Sequence, residues 1–135
     1  MVGDVITEPI LEVDVLHDGT AVWLVRSDTS GTVHLLRTEG PFWIRLPDKT
    51  APFLGTPRWE KLWHVAAVPE RFDDEGDAII HTDDELEWTL KVGYRHRWTI
   101  RDAWRLSRTA SAIERPTAAE VNALLDRHGV TGRRL

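Results

Sequence analysis

Residues 91–108 carry Lys91, Arg95, Arg97, Arg101, Arg105 and Arg108, interleaved with Tyr94, His96, Trp98 and Trp104. Guanidinium groups present fixed N–H donors that match a carboxylate or phosphate in two parallel bonds, and neighbouring rings add stacking and cation–π surface. The chemistry such a stretch supports is recognition of an anionic or aromatic-binding partner. Its candidate contact residues are Tyr94, Arg95, His96, Arg97, Trp104, Arg101 and Arg105. His96 lies between two arginines, whose positive charge favours the neutral ring. The plainer alternative is that these arginines pair with Glu85, Glu87 and the acidic residues before them, which would leave the stripe no binding role.

Other chemistry finds little support. The chain has no phosphate-cradling glycine loop, dinucleotide fingerprint, nucleophile elbow or pair of histidines at helical spacing. Its six histidines, His17, His34, His64, His81, His96 and His128, are isolated in sequence, and there is no cysteine for a disulfide or thiolate site. Asp73, Glu75 and Asp77 alternate as calcium ligands do, but the glycine falls at the fourth place instead of the sixth and the twelfth residue is Asp84, not glutamate. No metal or other cofactor is expected.

The net charge of −5 hides an asymmetry. Residues 1–85 hold 7 Lys/Arg against 17 Asp/Glu, and residues 86–135 hold 10 against 5. Opposite blocks in one domain attract each other, or they make a dipolar surface that docks a partner or a second copy. Arginine outnumbers lysine 14 to 3. At 135 residues the chain reads as one domain, long enough to bury a core without metal or disulfide staples. Seven tryptophans, at 23, 43, 59, 63, 88, 98 and 104, are expected mostly inside, with one or two exposed for binding. No basic-then-apolar leader opens the sequence and no apolar run approaches a bilayer span. The expected setting is cytoplasmic, or virion-associated for a phage-encoded protein, with no membrane partner.

The elements that must position the stripe begin with residues 86–106. Even positions from Leu86 to Leu106 are apolar or aromatic apart from His96 and Asp102, and odd positions carry the charges, a period of two that predicts strand. One straight strand of this length would run about 70 Å, against a diameter of about 40 Å for a compact chain of this size. Three devices resolve the conflict: a bend or bulge at Gly93, a hairpin centred on Tyr94, or a change to helix near Thr99. The favoured reading is a long bent strand near 86–100, then a helix over 101–112 on Ala103, Leu106 and Ala110. Trp88, Leu90, Val92 and Trp98 then face the core, with Arg95, Arg97 and Arg101 on the opposite face.

Upstream, residues 9–17 and 20–26 flank Asp18-Gly19, a hairpin signal, and 32–37 and 42–46 add two strands to an N-terminal meander. The unbroken apolar run in 20–26 predicts burial on both faces. Pro47, Pro52 and Pro57 mark a loop over 47–57 and a possible seam. Thr56, Pro57 and the spacing of Trp59, Leu62, Trp63 and Ala66 predict a helix over 57–67, with a strand through Trp63, Val65 and Ala67 competing. A short strand is expected at 78–82. Thr117 with Glu120 makes a capping box, and Val121, Leu124 and Leu125 the apolar stripe, of a helix over 118–128 stopped by Gly129. The expected fold class is α+β, β-rich, an antiparallel sheet with two or three short helices.

For function, the preferred reading is a non-enzymatic protein-binding or assembly module. It would be an accessory, inhibitor-like or structural subunit, of the kind phages and mobile elements encode, that binds a protein partner or itself. Nucleic-acid binding by the basic stripe 91–108 is the alternative, disfavoured by the acidic total. A small enzyme whose groups converge from separate loops is the second.

Overall fold

The computed structural model describes residues 8–28, 30–48 and 56–131. Among them the strands are β1 Glu12–Asp14, β2 Val22–Ser27, β3 Val33–Arg37, β4 Phe42–Leu46 and β5 Glu60–Val68. They continue as β6 Leu86–Glu87, β7 Thr89–Lys91, β8 Arg95–Ile100, β9 Ala103–Leu106 and β10 Ala110–Glu114, and the helix is α1 Ala118–Arg127. The main sheet runs β10-β2-β3-β4-β5-β8-β9, antiparallel throughout, with β6 also on β5 and β1 paired with β7.

The sheet curls because the small β1–β7 pair connects its two sides. Ile10 bridges to Ile113 of β10, the Val15 amide donates to the Trp88 carbonyl, and the Trp88 amide donates to the Val65 carbonyl of β5. Trp23, Val25, Leu36, Trp43, Leu62, Val65, Leu90, Trp98 and Ile113 fill the inside of the curl. On the outer face of the meander, Val22, Leu24, Val33, Leu35, Ile44 and Leu46 pack on Val121 and Leu125 of α1. The apolar run in β2 is thus buried on both faces, as its lack of alternation implies. The capping box at Thr117 and Glu120 is formed, and Gly129 ends the helix at φ 72°.

The β-rich, antiparallel α+β class holds, but with one helix. The expected helix over 57–67 is strand β5, because its backbone groups pair with β4, β6 and β8 and its last four residues are buried. Leu62 and Ala66, four apart as on one helix face, are both buried but on opposite faces of the sheet, Leu62 in the inner core and Ala66 beside Arg97. Register shifts between Leu62 and His64, so Trp63 is an extra residue and Leu62 and Val65 both reach the inner core. The expected helix over 101–112 is also strand, β9 and the start of β10.

Nor is 86–100 one bent strand. Trp88 at φ 51° and Gly93 at φ 87° break it, and Asp102 at φ 60° turns β8 into β9. Each left-handed residue redirects the chain, so period two holds only between them. Asp18-Gly19 does not join β1 to β2 as a hairpin: β1 pairs with β7, while β2 pairs with β10 and β3. The meander therefore starts at β2. At 78–82 only Ala78 makes a bridge, to Phe72. Most of the proline-rich loop 47–57 lies outside the described residues. Among those described, no helix is long and apolar enough to cross a membrane.

Candidate functional site

The two-residue turn Arg101-Asp102 decides how the basic stripe is presented. Ile100 pairs with Ala103, Thr99 with Trp104, Trp98 with Arg105 and Arg97 with Leu106. Directly paired residues share a face, so an even-length turn exchanges parity between the two strands. Arg105 joins the face of core residue Trp98, and Trp104 joins the face of Arg97 and Thr99. The stripe is split between the two faces.

On the outer face, Arg97 is sealed. Its guanidinium donates to Glu85 Oε2 at 2.7 Å and Oε1 at 2.9 Å, and to the Ile80 carbonyl at 2.6 Å. The residue is 6 % exposed. The hydrogen bonds to Arg97 hold the Glu85 carboxyl below its ordinary range despite the opposing effect of burial, and the same pair raises Arg97. Arg95 lies over the Phe72 ring at 5.8 Å, and Arg71 pairs with Asp84. The acidic segment 71–85 thus covers this half of the sheet. Arg97 lies on the face opposite the core, as its odd position predicts, and for this residue the plainer alternative of pairing with Glu85 is the one that holds. Asp73, Glu75 and Asp77 bring carboxylate oxygens within 4.8 Å of one another, but Asp73 Oδ1 already accepts the Glu75 and Asp77 amides as the cap of a tight turn.

Further along the outer face the cover ends. His64, Thr99 and Trp104 line up across β5, β8 and β9, with Trp63 beside them at the bulge. Trp63 is 56 % and Trp104 46 % exposed. Arg101 and Asp102 project at the turn as a loose pair at 3.7 Å. Strand β9 ends the sheet, and among the described residues nothing pairs with its other edge.

The inner face ends in a ring stack. His34 lies parallel to Trp98 at 5.3 Å and to Trp43 at 5.8 Å, while His96 tilts against Trp98 at 5.8 Å. His34 Nδ1 accepts from Trp43 Nε1 at 3.0 Å, which places the proton of the neutral ring on Nε2. Burial, helped by nearby Arg45 and then His96, pushes the His34 pKa down to about 3. Burial alone does the same to His96, whose Nε2 accepts the Lys91 amide at 3.0 Å. Both imidazoles are uncharged at neutral pH.

Above His34 the curl opens into a cleft of 290 Å³. Arg45 of β4 and Arg105 of β9 line it, together with Arg108. Ser27, Ser30, Thr32 and Ser107 complete its polar wall beside Leu106, and among the described residues no carboxylate lines it. Arg45 sits here because it is the cross-strand partner of His34, on the inner face of a strand whose Ile44 and Leu46 face the helix.

Of the seven candidate residues, Arg101, Trp104 and Arg105 are exposed, with Arg105 turned into the cleft. His96 and Arg97 are buried. Tyr94 and Arg95 are half-buried, Tyr94 under the Lys91 ammonium at 4.9 Å. Sequence reasoning missed His34, Arg45, Ser30, Thr32 and Trp63. A polar His34 opposite Arg45 inside two apolar strands was the available signal.

No protein-family model, curated protein or solved structure matches this chain.

Proposed function

We propose that the protein is a non-enzymatic binding module that takes up an extended, acidic segment of a partner protein along the open edge of β9. The observation that carries this is a strand edge, unpaired among the described residues, bearing a half-exposed Trp104 with Arg101 at the adjoining turn. An exposed edge offers a row of backbone donors and acceptors, and recognition by strand addition takes its affinity from those bonds and its specificity from alternate side chains. Trp and Arg are the residue types enriched where partners bind most strongly. With Trp63 alongside, the patch gives an apolar centre with the Arg101 cation at one end, which favours an extended strand of apolar residues with acidic neighbours.

Screening a random peptide display library against the whole chain tests this. The expected selection is for Asp/Glu-rich extended sequences, and Trp104→Ser weakens the selected peptides by about tenfold or more without unfolding the protein. Enrichment without acidic character, or equal binding by the Trp104→Ser protein, overturns the reading. Tight binding to oligonucleotides that falls steeply with salt would transfer the surface to nucleic acid.

A further inference from the structure

The cleft above His34 lies on the opposite face of β9 from Trp104, and its chemistry is that of a pocket rather than an edge. We propose that it is a binding site for a small phosphate-bearing molecule, either inorganic phosphate or a simple phosphomonoester, held by Arg45 and Arg105 with Ser30, Thr32 and His34 as donors. This goes beyond the peptide-binding reading and shares only strand β9 with it.

The argument rests on what each polar group has left to offer. Ser30 Oγ accepts the Thr32 amide at 3.2 Å, and Thr32 Oγ1 accepts the Asp48 amide at 3.3 Å. With an acceptor site already engaged, each hydroxyl retains its proton for a further bond. The His34 ring is fixed by Trp43 with Nδ1 as acceptor, so the nitrogen remaining is a donor. Arg45 and Arg105 make no ion pair with a carboxylate among the described residues, and Arg105 donates only to the neighbouring Trp104 carbonyl at 3.2 Å. Ser107, by contrast, both accepts the His96 amide and donates to the His96 carbonyl, and serves the fold.

A wall of donors with no carboxylate in it selects an acceptor-only ligand, hence an anion. The donors arise from the segment before β3, from β3 itself, from β4 and from β9, so they converge from several directions. That suits a tetrahedral group with oxygens on all sides better than a planar carboxylate. The volume is just below the range of about 300–1,000 Å³ usual for larger ligands, which restricts the guest to a small one.

Titration calorimetry with the whole chain at fixed ionic strength provides the test, using inorganic phosphate, glycerol 3-phosphate and succinate as probes. One-to-one saturable binding of at least one phosphate probe is expected, with succinate much weaker. Binding of inorganic phosphate alone identifies the free ion as the guest; binding of glycerol 3-phosphate as well identifies the monoester class. Arg45→Gln should weaken the phosphate at least about tenfold and Thr32→Val several-fold. Trp104→Ser should leave it unchanged while weakening peptide binding by about tenfold or more, so the two proposals fail separately. Arg45 is exposed, so the variant is expected to keep the folded circular dichroism spectrum; should it not, Ser30→Ala reads the same site. Absence of saturable phosphate binding, preference for succinate, or equal weakening by Arg101→Gln as by Arg45→Gln overturns the proposal.

Discussion

Arg97 and Arg105 sit on neighbouring strands, eight residues apart in a stretch that alternates almost without fault, and they meet opposite fates. Arg97 is locked by two bonds to Glu85 and one to a carbonyl, under a cover of acidic chain. Arg105 opens into a cleft with no carboxylate on its wall. What separates them is not residue type or local sequence but which face the turn assigns and what the rest of the chain lays over that face. An arginine becomes structural where a carboxylate is brought to it, and stays available where none is.

The largest effect that tests this contrast comes from acid. If the interior behind the cleft holds His34 and His96 neutral, the unfolded chain takes up a proton at each near pH 6.5, whereas the folded protein resists until about pH 3. The unfolded state binds more protons throughout that window, so stability is complete above it and falls as pH drops through it. The two rings together should cost roughly 4 kcal/mol by pH 5. Urea denaturation midpoints measured between pH 7.5 and 4.5 check the slope. A flat profile would show that the rings are not held neutral by burial.

Next in size is the sealed arginine. Arg97→Ala leaves the Glu85 carboxylate without its partner in a mostly buried place, and should destabilise the fold by about 3 kcal/mol in the same denaturation assay. Joint replacement, Arg97→Met with Glu85→Leu, removes both charges and should recover most of that loss. Equal loss in the single and double variants would argue that the pair holds the acidic cover by shape alone.

The open region should respond in the opposite sense. Trp104→Ser and Arg101→Gln are each expected within about 0.5 kcal/mol of the parent in stability, because neither residue is packed in the core. A loss of 2 kcal/mol or more from either would place that side chain in the fold and erase the contrast with Arg97.

Much of the fold was legible in the sequence. Two-face burial of β2 followed from its unbroken apolar run, and α1 from its capping box, stripe and terminal glycine. Of the tryptophans expected mostly inside, Trp23, Trp43 and Trp98 are buried, Trp59 and Trp88 are half-buried against the two cores, and Trp63 and Trp104 are exposed. What escaped were events of single residues. A bulge at Trp63 imitates helical spacing, and left-handed Trp88 and Asp102 interrupt a pattern that is otherwise regular. Tryptophan and aspartate carry no reliable mark of positive φ, unlike Gly93, which was suspected. The cleft was illegible for another reason. Its residues come from four separate segments, and only the curl of the sheet brings Ser30, Arg45 and Arg105 to one opening.

The two-residue turn at Arg101-Asp102 also bears on how such a protein diversifies. One residue inserted after it, with the turn itself kept at two residues, would slip β9 by one place against β8, pairing Trp104 with Trp98 and Arg105 with Arg97 and so sending an indole to the cleft and a guanidinium to the outer face. A single inserted codon at an exposed turn, where insertions are best tolerated, is therefore enough to put an indole in place of one arginine of the opening. Among descendants of this fold, the register of β9 against β8 is a better guide to what the cleft accepts than the identity of any residue within the turn.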